Sequence, residues 1–314
     1  MLYLLAMGYK KVKVYPIKIQ NYWRYCVSSV ILFFGTIALF VLGARGGDFK
    51  KSTRPITLID AMDHVKTPKQ ADVVLSSTFT FLKTLGKNGY KKPKNNFTDQ
   101  QIQQELKTIK QYPASGRFEK KPNVFIFILE SMGREYWGAF NEKYNIPNYE
   151  GYTPFLDSLA QHSLIFPNGF ATSRKSIHGM PSILAGIPSF ETSYASSLYS
   201  RQEVASVVSI AKELGYHTSF FHGAANGSMG FLGFANTLGF DRYYGRTEFN
   251  YDEEFDGSWG IWDEPFLQYT KSVLDEQKTP FLSSVFTITS HAVSYTHLRA
   301  HETGRNLVCR LLLE

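Results

Sequence analysis

Four side chains with the chemistry to handle a phosphate or sulfate ester follow predicted strands or open a predicted helix. They are one carboxylate, one hydroxyl and two imidazoles: Glu130, Ser176, His222 and His291. Carboxylate and hydroxyl oxygens are ligands for a hard divalent cation such as Mg²⁺ or Mn²⁺. Such a cation lowers the pKa of a serine hydroxyl and stabilises charge on a transferring phosphoryl or sulfuryl group. The imidazoles can bind substrate oxygens or protonate a leaving group.

Ser176 lies within Ala171–Pro188, immediately before an apolar pattern with helical spacing. At the N-terminus of a helix, free N–H groups and the positive end of the helix dipole stabilise an alkoxide or a bound anion. Arg174 and Lys175 add positive charge beside it. A serine before a helix is also a common N-cap, so the pattern alone leaves a purely structural role open.

The elements that must position these side chains alternate between strands and helices. Strands are predicted at Asn123–Leu129, Leu164–Phe170, Tyr216–His222 and Pro280–Ser290. Helices are predicted at Thr153–Ser163, from Ser176 onward, at Gln202–Leu214 and at Asp263–Gln277. This alternation predicts an α/β fold, a mostly parallel sheet with helices on both faces. The first strand is almost wholly apolar, which is typical of burial on both faces. Ligands bind at the carboxyl ends of such strands, so we expect the candidate side chains to meet there.

The N-terminal region has the pattern of a membrane anchor. Residues 1–24 carry five basic side chains and no acidic one, out of a formal net charge of +7. Tyr25–Gly43 has no charged residue and is long enough to cross a bilayer; a cleaved signal peptide is the alternative. The basic flank favours a cytoplasmic N-terminus and an extracytoplasmic remainder, in the cell membrane. Because the basic charge precedes an apolar run, it indicates membrane topology and not nucleic-acid binding.

Between the span and the predicted sheet, residues 44–121 are polar and lysine-rich, and we interpret them as a juxtamembrane arm. A helix is predicted within the arm at Thr98–Tyr112, capped by Thr98. The chain has two cysteines, one of them within the span. This excludes a disulfide framework and a cysteine-based zinc site.

Five segments resemble, in order and spacing, the sulfatase and phosphoglycerol-transferase branch of the alkaline phosphatase superfamily, and most closely its lipoteichoic acid synthase-like membrane enzymes. They are VFIFILESMG, TPFLDSLA, ATSRKSIHGMPSILAGIPS, GYHTSFFHG and GFDRYYG, and the resemblance covers Pro122–Ala292. It implies an alkaline phosphatase-like fold and a membrane-anchored, Mn²⁺- or Mg²⁺-dependent enzyme. The implied substrates are phosphate esters of membrane lipids or envelope glycans. By the same resemblance, Glu130 is a metal ligand and Ser176 is both nucleophile and metal ligand. His222 and His291 bind substrate.

Three departures from the family pattern limit this interpretation. Ser176 is not followed by the x-Pro-x-Arg of the sulfatase signature, so phosphoryl transfer is favoured over formylglycine chemistry. Met229 stands where the synthases carry a tryptophan, which leaves the glycerol-phosphate substrate open. The family's late Asp-His-Gly segment is absent; the Asp63-His64 pair lies in the arm and is predicted to be solvated. A sulfuric ester hydrolase and a non-catalytic, membrane-tethered binding module remain alternatives.

The last 22 residues do not continue the strand and helix pattern. Val293–Glu314 resembles translated adapter sequence, and we interpret it as an artefactual tail. The predicted catalytic domain, residues 122–292, is then incomplete at its C-terminus. The expectation that follows is an incomplete metal site and an inactive 314-residue chain.

Overall fold

The part of the chain that follows residue 121 contains a four-stranded parallel sheet. The computed structural model describes residues 19–44, 57–86, 96–105, 119–172, 175–189 and 192–291. The strands are β1 (Val124–Ile128), β2 (His217–Phe221), β3 (Arg242–Tyr244) and β4 (Phe281–Phe286). Their order is β1-β4-β2-β3, and each neighbouring pair runs parallel. The predicted mostly parallel sheet is confirmed.

Nine helices of seven or more residues lie in the described ranges. They are α1 (Tyr22–Ala44), α2 (Pro68–Val74), α3 (Ser77–Thr84), α4 (Asp99–Glu105), α5 (Pro154–Ala160), α6 (Ser176–Ala185), α7 (Val207–Glu213), α8 (Phe231–Leu238) and α9 (Asp263–Asp275). Two four-residue helices add Gly138–Asn141 and Arg246–Phe249, and a 3₁₀ turn spans Ile59–His64. The helix predicted from Ser176 onward is confirmed.

Alternate side chains of the central strands pack against helices on opposite faces of the sheet. Phe220 joins an apolar cluster with α6, α7 and α8, whereas its neighbour Phe221 joins a second cluster with α9. In β4, Phe286 belongs to the first of these clusters and Val285 to the second. Because side chains alternate along a strand, helices cover both faces, as predicted.

Two strand predictions fail at the exposed side of the sheet. Among the described residues β1 pairs with β4 alone, and Phe127 is 39% exposed, so β1 is an edge strand that is not buried on both faces. Leu164–Phe170 is not a strand, and Phe170 is 91% exposed. This segment bends, with the Gly169 N–H donating to the Phe166 carbonyl (3.1 Å). Pro167 within it has no N–H to give to a ladder.

Local hydrogen bonds explain the other differences in element bounds. Helix α7 begins five residues later than predicted because Ser206 caps it, accepting from the Ser209 N–H (3.0 Å). Helix α8 was not predicted. Seven of its eight residues are buried, including the polar Asn236 and Thr237, so it has no exposed polar face of the kind that marks a surface helix. It ends at Gly239, whose φ of +89° suits glycine.

Part of the predicted arm packs against α8 within the compact unit that starts at Lys50. The Met62 carbonyl accepts a hydrogen bond from Asn236 Nδ2 (2.7 Å). Gly233 permits this approach, because a Cβ there would lie 2.6 Å from the Ile59 carbonyl oxygen. Asp63 is half-buried at this contact, which corrects the prediction of a solvated pair for this residue, whereas His64 is exposed as predicted.

Helix α4 is capped as predicted, with the Gln101 N–H donating to Thr98 Oγ1 (3.3 Å). Residues 106–112 of that predicted helix lie outside the described residues. Helix α1 belongs to a separate unit, Met1–Phe49. Its Tyr22–Gly43 segment is long and apolar enough to cross a membrane. The segment predicted as an artefactual tail lies outside the described residues.

Candidate functional site at the carboxyl edge of the sheet

Glu130 lies two residues beyond the end of β1, in a buried turn. Its side chain and backbone together are 9% exposed, and its N–H donates to Thr287 Oγ1 (2.9 Å). Glu130 Oε1 accepts a hydrogen bond from the Ser131 hydroxyl (2.8 Å). Within the described ranges, the other carboxylate oxygen accepts no hydrogen bond, so the group retains capacity to accept further donors or a cation. The predicted position of Glu130 at a strand end is confirmed.

Ser176 is the first residue of α6 and is half-buried. The N-cap is Lys175, which is extended (φ −131°, ψ 141°). Ser176 is therefore inside the first turn and does not serve as the cap, which was its alternative role. Helix α6 lies close over the sheet at Gly179, where a Cβ would be 3.6 Å from the Phe286 ring and 4.0 Å from Ile128. This packing brings the first turn of α6 over the carboxyl ends of β1 and β4.

His222 follows β2 directly and is 2% exposed. Its Nδ1 lies 2.9 Å from the Phe286 carbonyl oxygen. Because a carbonyl oxygen only accepts, Nδ1 carries the proton and Nε2 presents a lone pair. Burial lowers the pKa of His222 to about 4, against the smaller opposing effect of that carbonyl. The imidazole is therefore neutral near pH 7. It can accept a hydrogen bond through Nε2 but cannot protonate a leaving group there.

Nε2 of His222 is buried and has no hydrogen-bond partner within the described part of the chain. The ring lies against Phe231 and Phe286, with centroid distances of 5.0 Å and 5.6 Å. A buried acceptor without a partner is costly, so such a group usually has a ligand or a catalytic role. This feature favours a binding role for His222 over a purely structural one.

His291 ends the loop that follows β4 and is half-buried. Its N–H donates to the Ile288 carbonyl (2.9 Å), and its ring packs on Trp259 with centroids 4.4 Å apart. Gly260, next to Trp259, forms a β-bridge with Ala224, two residues beyond His222. The loops that carry the two histidines therefore meet at the same end of the sheet.

Sequence reasoning missed four residues that support this edge: Asp263, Thr287, Thr289 and Trp259. Asp263 was assigned only as the first residue of a helix. It is 4% exposed, and burial raises its pKa to about 6. Hydrogen bonds from Ile288 and Thr289 oppose that shift, and the nearby charge of Glu130 adds to it. The alternating threonines of TITS, directly before His291, were a signal for Thr287 and Thr289 but not for Asp263.

The described residues do not make a complete divalent-metal site. Within those ranges, no group of three or more His, Cys, Asp or Glu side chains is placed to hold a metal ion. Glu130 and Ser176 offer two oxygen ligands, whereas Mg²⁺ and Mn²⁺ sites take about six ligands, some of them waters. Further protein ligands would have to come from outside the described residues.

Comparison with known proteins identifies the family. The family model for sulfatases matches residues 122–305, which is more than half of the chain. The chain belongs to the sulfatase family. This match begins at the predicted domain boundary and extends into the segment predicted as a tail. Sulfatase-family proteins are enzymes of the alkaline phosphatase superfamily, whose members depend on divalent metal ions.

The chain is also similar to individual proteins and solved structures. Lipoteichoic acid synthase 2 of Bacillus subtilis is 23% identical over 243 residues, 76% of this chain and 34% of that protein. The solved structure of an alkaline phosphatase superfamily protein from Vibrio parahaemolyticus is 25% identical with a TM-score of 0.52, covering 62% of this chain and 49% of the other. A lipoteichoic acid synthase structure, LtaP from Listeria monocytogenes, is 22% identical with a TM-score of 0.48, covering 55% and 41%. This sulfatase-family chain spans about a third of the length of the curated relative.

Proposed function

We propose that the chain is a membrane-anchored, metal-dependent transferase or hydrolase of the phosphoglycerol-transferase type. Its substrates are phosphate esters of lipid or glycan head groups, and Ser176 is its nucleophile. The observation that carries the proposal is the position of Ser176, half-buried in the first turn of α6 without serving as its cap. The name of the Bacillus subtilis relative, lipoteichoic acid synthase 2, supports an envelope lipid or glycan as the substrate class.

In the proposed reaction, Ser176 Oγ attacks the phosphorus of the ester. The new Oγ–P bond forms as the bond from phosphorus to the oxygen of the leaving alcohol breaks, and that alcohol leaves with one proton while Ser176 has lost one. An acceptor alcohol or water then attacks the phosphoserine, which completes transfer or hydrolysis and restores the hydroxyl. The N–H groups at the start of α6 and the adjacent charge of Lys175 stabilise the anionic phosphoryl group.

The other site residues bind and orient the substrate in this proposal. His222 accepts a hydrogen bond from a head-group hydroxyl through Nε2, which is consistent with its tautomer and its pKa of about 4. His291 contacts the same head group beside Trp259. Glu130 and Ser176 would hold a Mn²⁺ or Mg²⁺ ion, which would lower the pKa of the Ser176 hydroxyl and stabilise charge on the transferring phosphoryl group.

The proposed organisation places these residues outside the cell membrane. Helix α1 anchors the chain, with the basic residues 1–24 on the cytoplasmic side. Residues 44–121 form the juxtamembrane arm, and residues 122–292 form the part of the catalytic domain that carries the candidate site. Residues 293–314 have no role in this proposal, although the family match extends to residue 305.

The experiment compares Ser176→Ala with Ser182→Ala in the complete gene product. Ser182 is a matched control, because it lies on the same helix and its hydroxyl bonds the His178 carbonyl (2.7 Å). We expect Ser176→Ala to abolish turnover of a phosphodiester and Ser182→Ala to retain it. Full activity of Ser176→Ala would contradict the assignment of the nucleophile. Faster turnover of an aryl sulfate than of the phosphodiester would favour sulfuric ester hydrolysis instead.

A further inference from the structure

The loop after β4, Thr287–His291, is buried although it has no regular secondary structure. Thr287, Thr289 and Ser290 are each at most 5% exposed. The loop leads from the ladder of β4 to His291, which is half-buried at the carboxyl edge of the sheet. A buried irregular segment must have its backbone polar groups satisfied by other parts of the protein. The position of His291 therefore depends on what satisfies this loop.

Asp263, in the first turn of α9, accepts hydrogen bonds from two backbone N–H groups of the loop. Its Oδ1 accepts from the Ile288 N–H and its Oδ2 from the Thr289 N–H, both at 2.8 Å. The Asp263 N–H in turn donates to Thr289 Oγ1 (2.8 Å). Hydrogen bonds to a charged acceptor are stronger than those between neutral groups. One residue therefore holds two consecutive loop residues through three bonds.

A capping role does not account for this arrangement. An acidic residue at a helix start commonly accepts from the free N–H groups of its own helix. Both carboxylate oxygens of Asp263 instead accept from the loop, and α9 has no side-chain cap bond at Trp262. Burying a carboxylate carries a desolvation cost, so its hydrogen bonds to the loop must offset that cost.

The first residue of the loop, Thr287, is hydrogen-bonded to β1 and to the turn that follows it. The Thr287 N–H donates to the Ile128 carbonyl (3.1 Å), and Thr287 Oγ1 accepts from the Glu130 N–H (2.9 Å). The loop is thus fixed at Thr287 to the strand that carries Glu130 and at Thr289 to α9. His291 is only two residues beyond the second attachment. Displacement of Thr289 would therefore move the His291 ring relative to Trp259, on which it packs.

We infer that Asp263 is a positioning residue, which fixes the loop after β4 and thereby holds His291 at the candidate site. The substrate-binding role that this gives to His291 rests on the proposed function. The placement of the loop itself does not, so the two can be tested separately.

The test uses the 314-residue chain labelled with 5-fluorotryptophan and observed by ¹⁹F NMR in detergent. The chain has four tryptophans, and Trp259→Phe assigns the Trp259 signal. In Asp263→Asn, the amide nitrogen that replaces one oxygen cannot accept, so one loop N–H loses its partner. We expect the Trp259 signal to shift, and amide exchange at Ile288 or Thr289 to accelerate about 10- to 100-fold.

Asp241→Asn is the matched control. Asp241 Oδ2 also accepts from a backbone N–H and a threonine hydroxyl, those of Thr218 (2.9 Å and 3.0 Å), but at the amino end of β2. This variant should leave the Trp259 signal and the exchange of the loop unchanged. An unchanged signal and unchanged exchange in Asp263→Asn would overturn the inference, and so would equal changes in both variants. If Asp263→Asn does not fold, Thr289→Val removes only the hydroxyl acceptor and should give a smaller shift of the same signal.

A kinetic readout in the complete gene product separates the two claims. If His291 binds substrate, Asp263→Asn should raise KM for a phosphodiester with a smaller change in kcat. An unchanged KM together with a shifted Trp259 signal would overturn the link from the loop to substrate binding. Failure of the proposed function is distinguishable, because it would appear as retained turnover in Ser176→Ala.

Discussion

The buried, neutral state of His222 predicts a specific dependence of stability on pH. The pKa of His222 in the folded chain is about 4, below the ordinary value of 6.5, because burial disfavours the imidazolium. Above pH 6.5 both folded and unfolded states hold a neutral ring. Between pH 6.5 and pH 4 only the unfolded state takes up the proton, so the folded state loses stability as the pH falls. With these two pKa values, lowering the pH from 8 to 5 reduces the free energy of unfolding by about 2 kcal/mol through His222.

The perturbation that isolates this effect is His222→Asn. The asparagine Nδ2 can take the place of Nδ1 and donate to the Phe286 carbonyl, but it does not titrate. When the pH is lowered from 8 to 5, we expect the free energy of unfolding of this variant to fall by about 2 kcal/mol less than that of the wild type. The assay is urea unfolding of the detergent-solubilised chain at both pH values, with chelator present and the slopes compared.

His162→Asn is the control, since it removes one exposed imidazole from the end of the α5 region. It should keep the wild-type difference between the two pH values. The reasoning would be refuted if His222→Asn lost as much stability as the wild type on acidification.

Two further predictions concern the arm contact and the metal. Gly233→Ala places a Cβ 2.6 Å from the Ile59 carbonyl oxygen and should lower the free energy of unfolding by about 1–3 kcal/mol. The control Gly179→Ala meets only ordinary contacts and should change it far less. Equal losses in the two variants, measured by urea unfolding, would argue against the close approach of the arm. Titration of the 314-residue chain with Mn²⁺ should show only weak binding, because the sequence lacks the late Asp-His-Gly segment of the family pattern. Tight one-to-one binding by calorimetry would contradict this, and Glu130→Gln would then show whether Glu130 is among the ligands.

Three of the four strands were predictable from the sequence, because apolar runs such as VFIFIL are local signals. The three-residue strand β3 was not predicted. The sequence could not predict that β1 lies at an edge, since pairing partners are set by topology and not by the composition of one strand. Helix α8 was missed because seven of its eight residues are buried, so its polar residues do not form the exposed face that reveals a surface helix. The segment Leu164–Phe170 has the composition of a strand but no strand partner among the described residues.

The reactive groups of the candidate site were predictable from the sequence, but the residues that hold them in place were not. Glu130, His222 and Ser176 occupy the expected positions at strand and helix ends. The tautomer of His222 depends on the Phe286 carbonyl, 64 residues away in the sequence. The role of Asp263 likewise depends on contacts with Ile288 and Thr289 in another part of the chain. Such long-range contacts leave no short-range pattern in the sequence.

The central claim, that Ser176 is a phosphoryl-accepting nucleophile, is tested most directly by mass spectrometry of a trapped intermediate. The complete gene product is mixed with a phosphodiester substrate, quenched in acid within one turnover and digested. The account predicts a phosphoryl or phosphoryl-ester adduct on the peptide that contains Ser176, absent from Ser176→Ala and present in Ser182→Ala. Turnover with an adduct on another residue, or an adduct that persists in Ser176→Ala, would contradict the account.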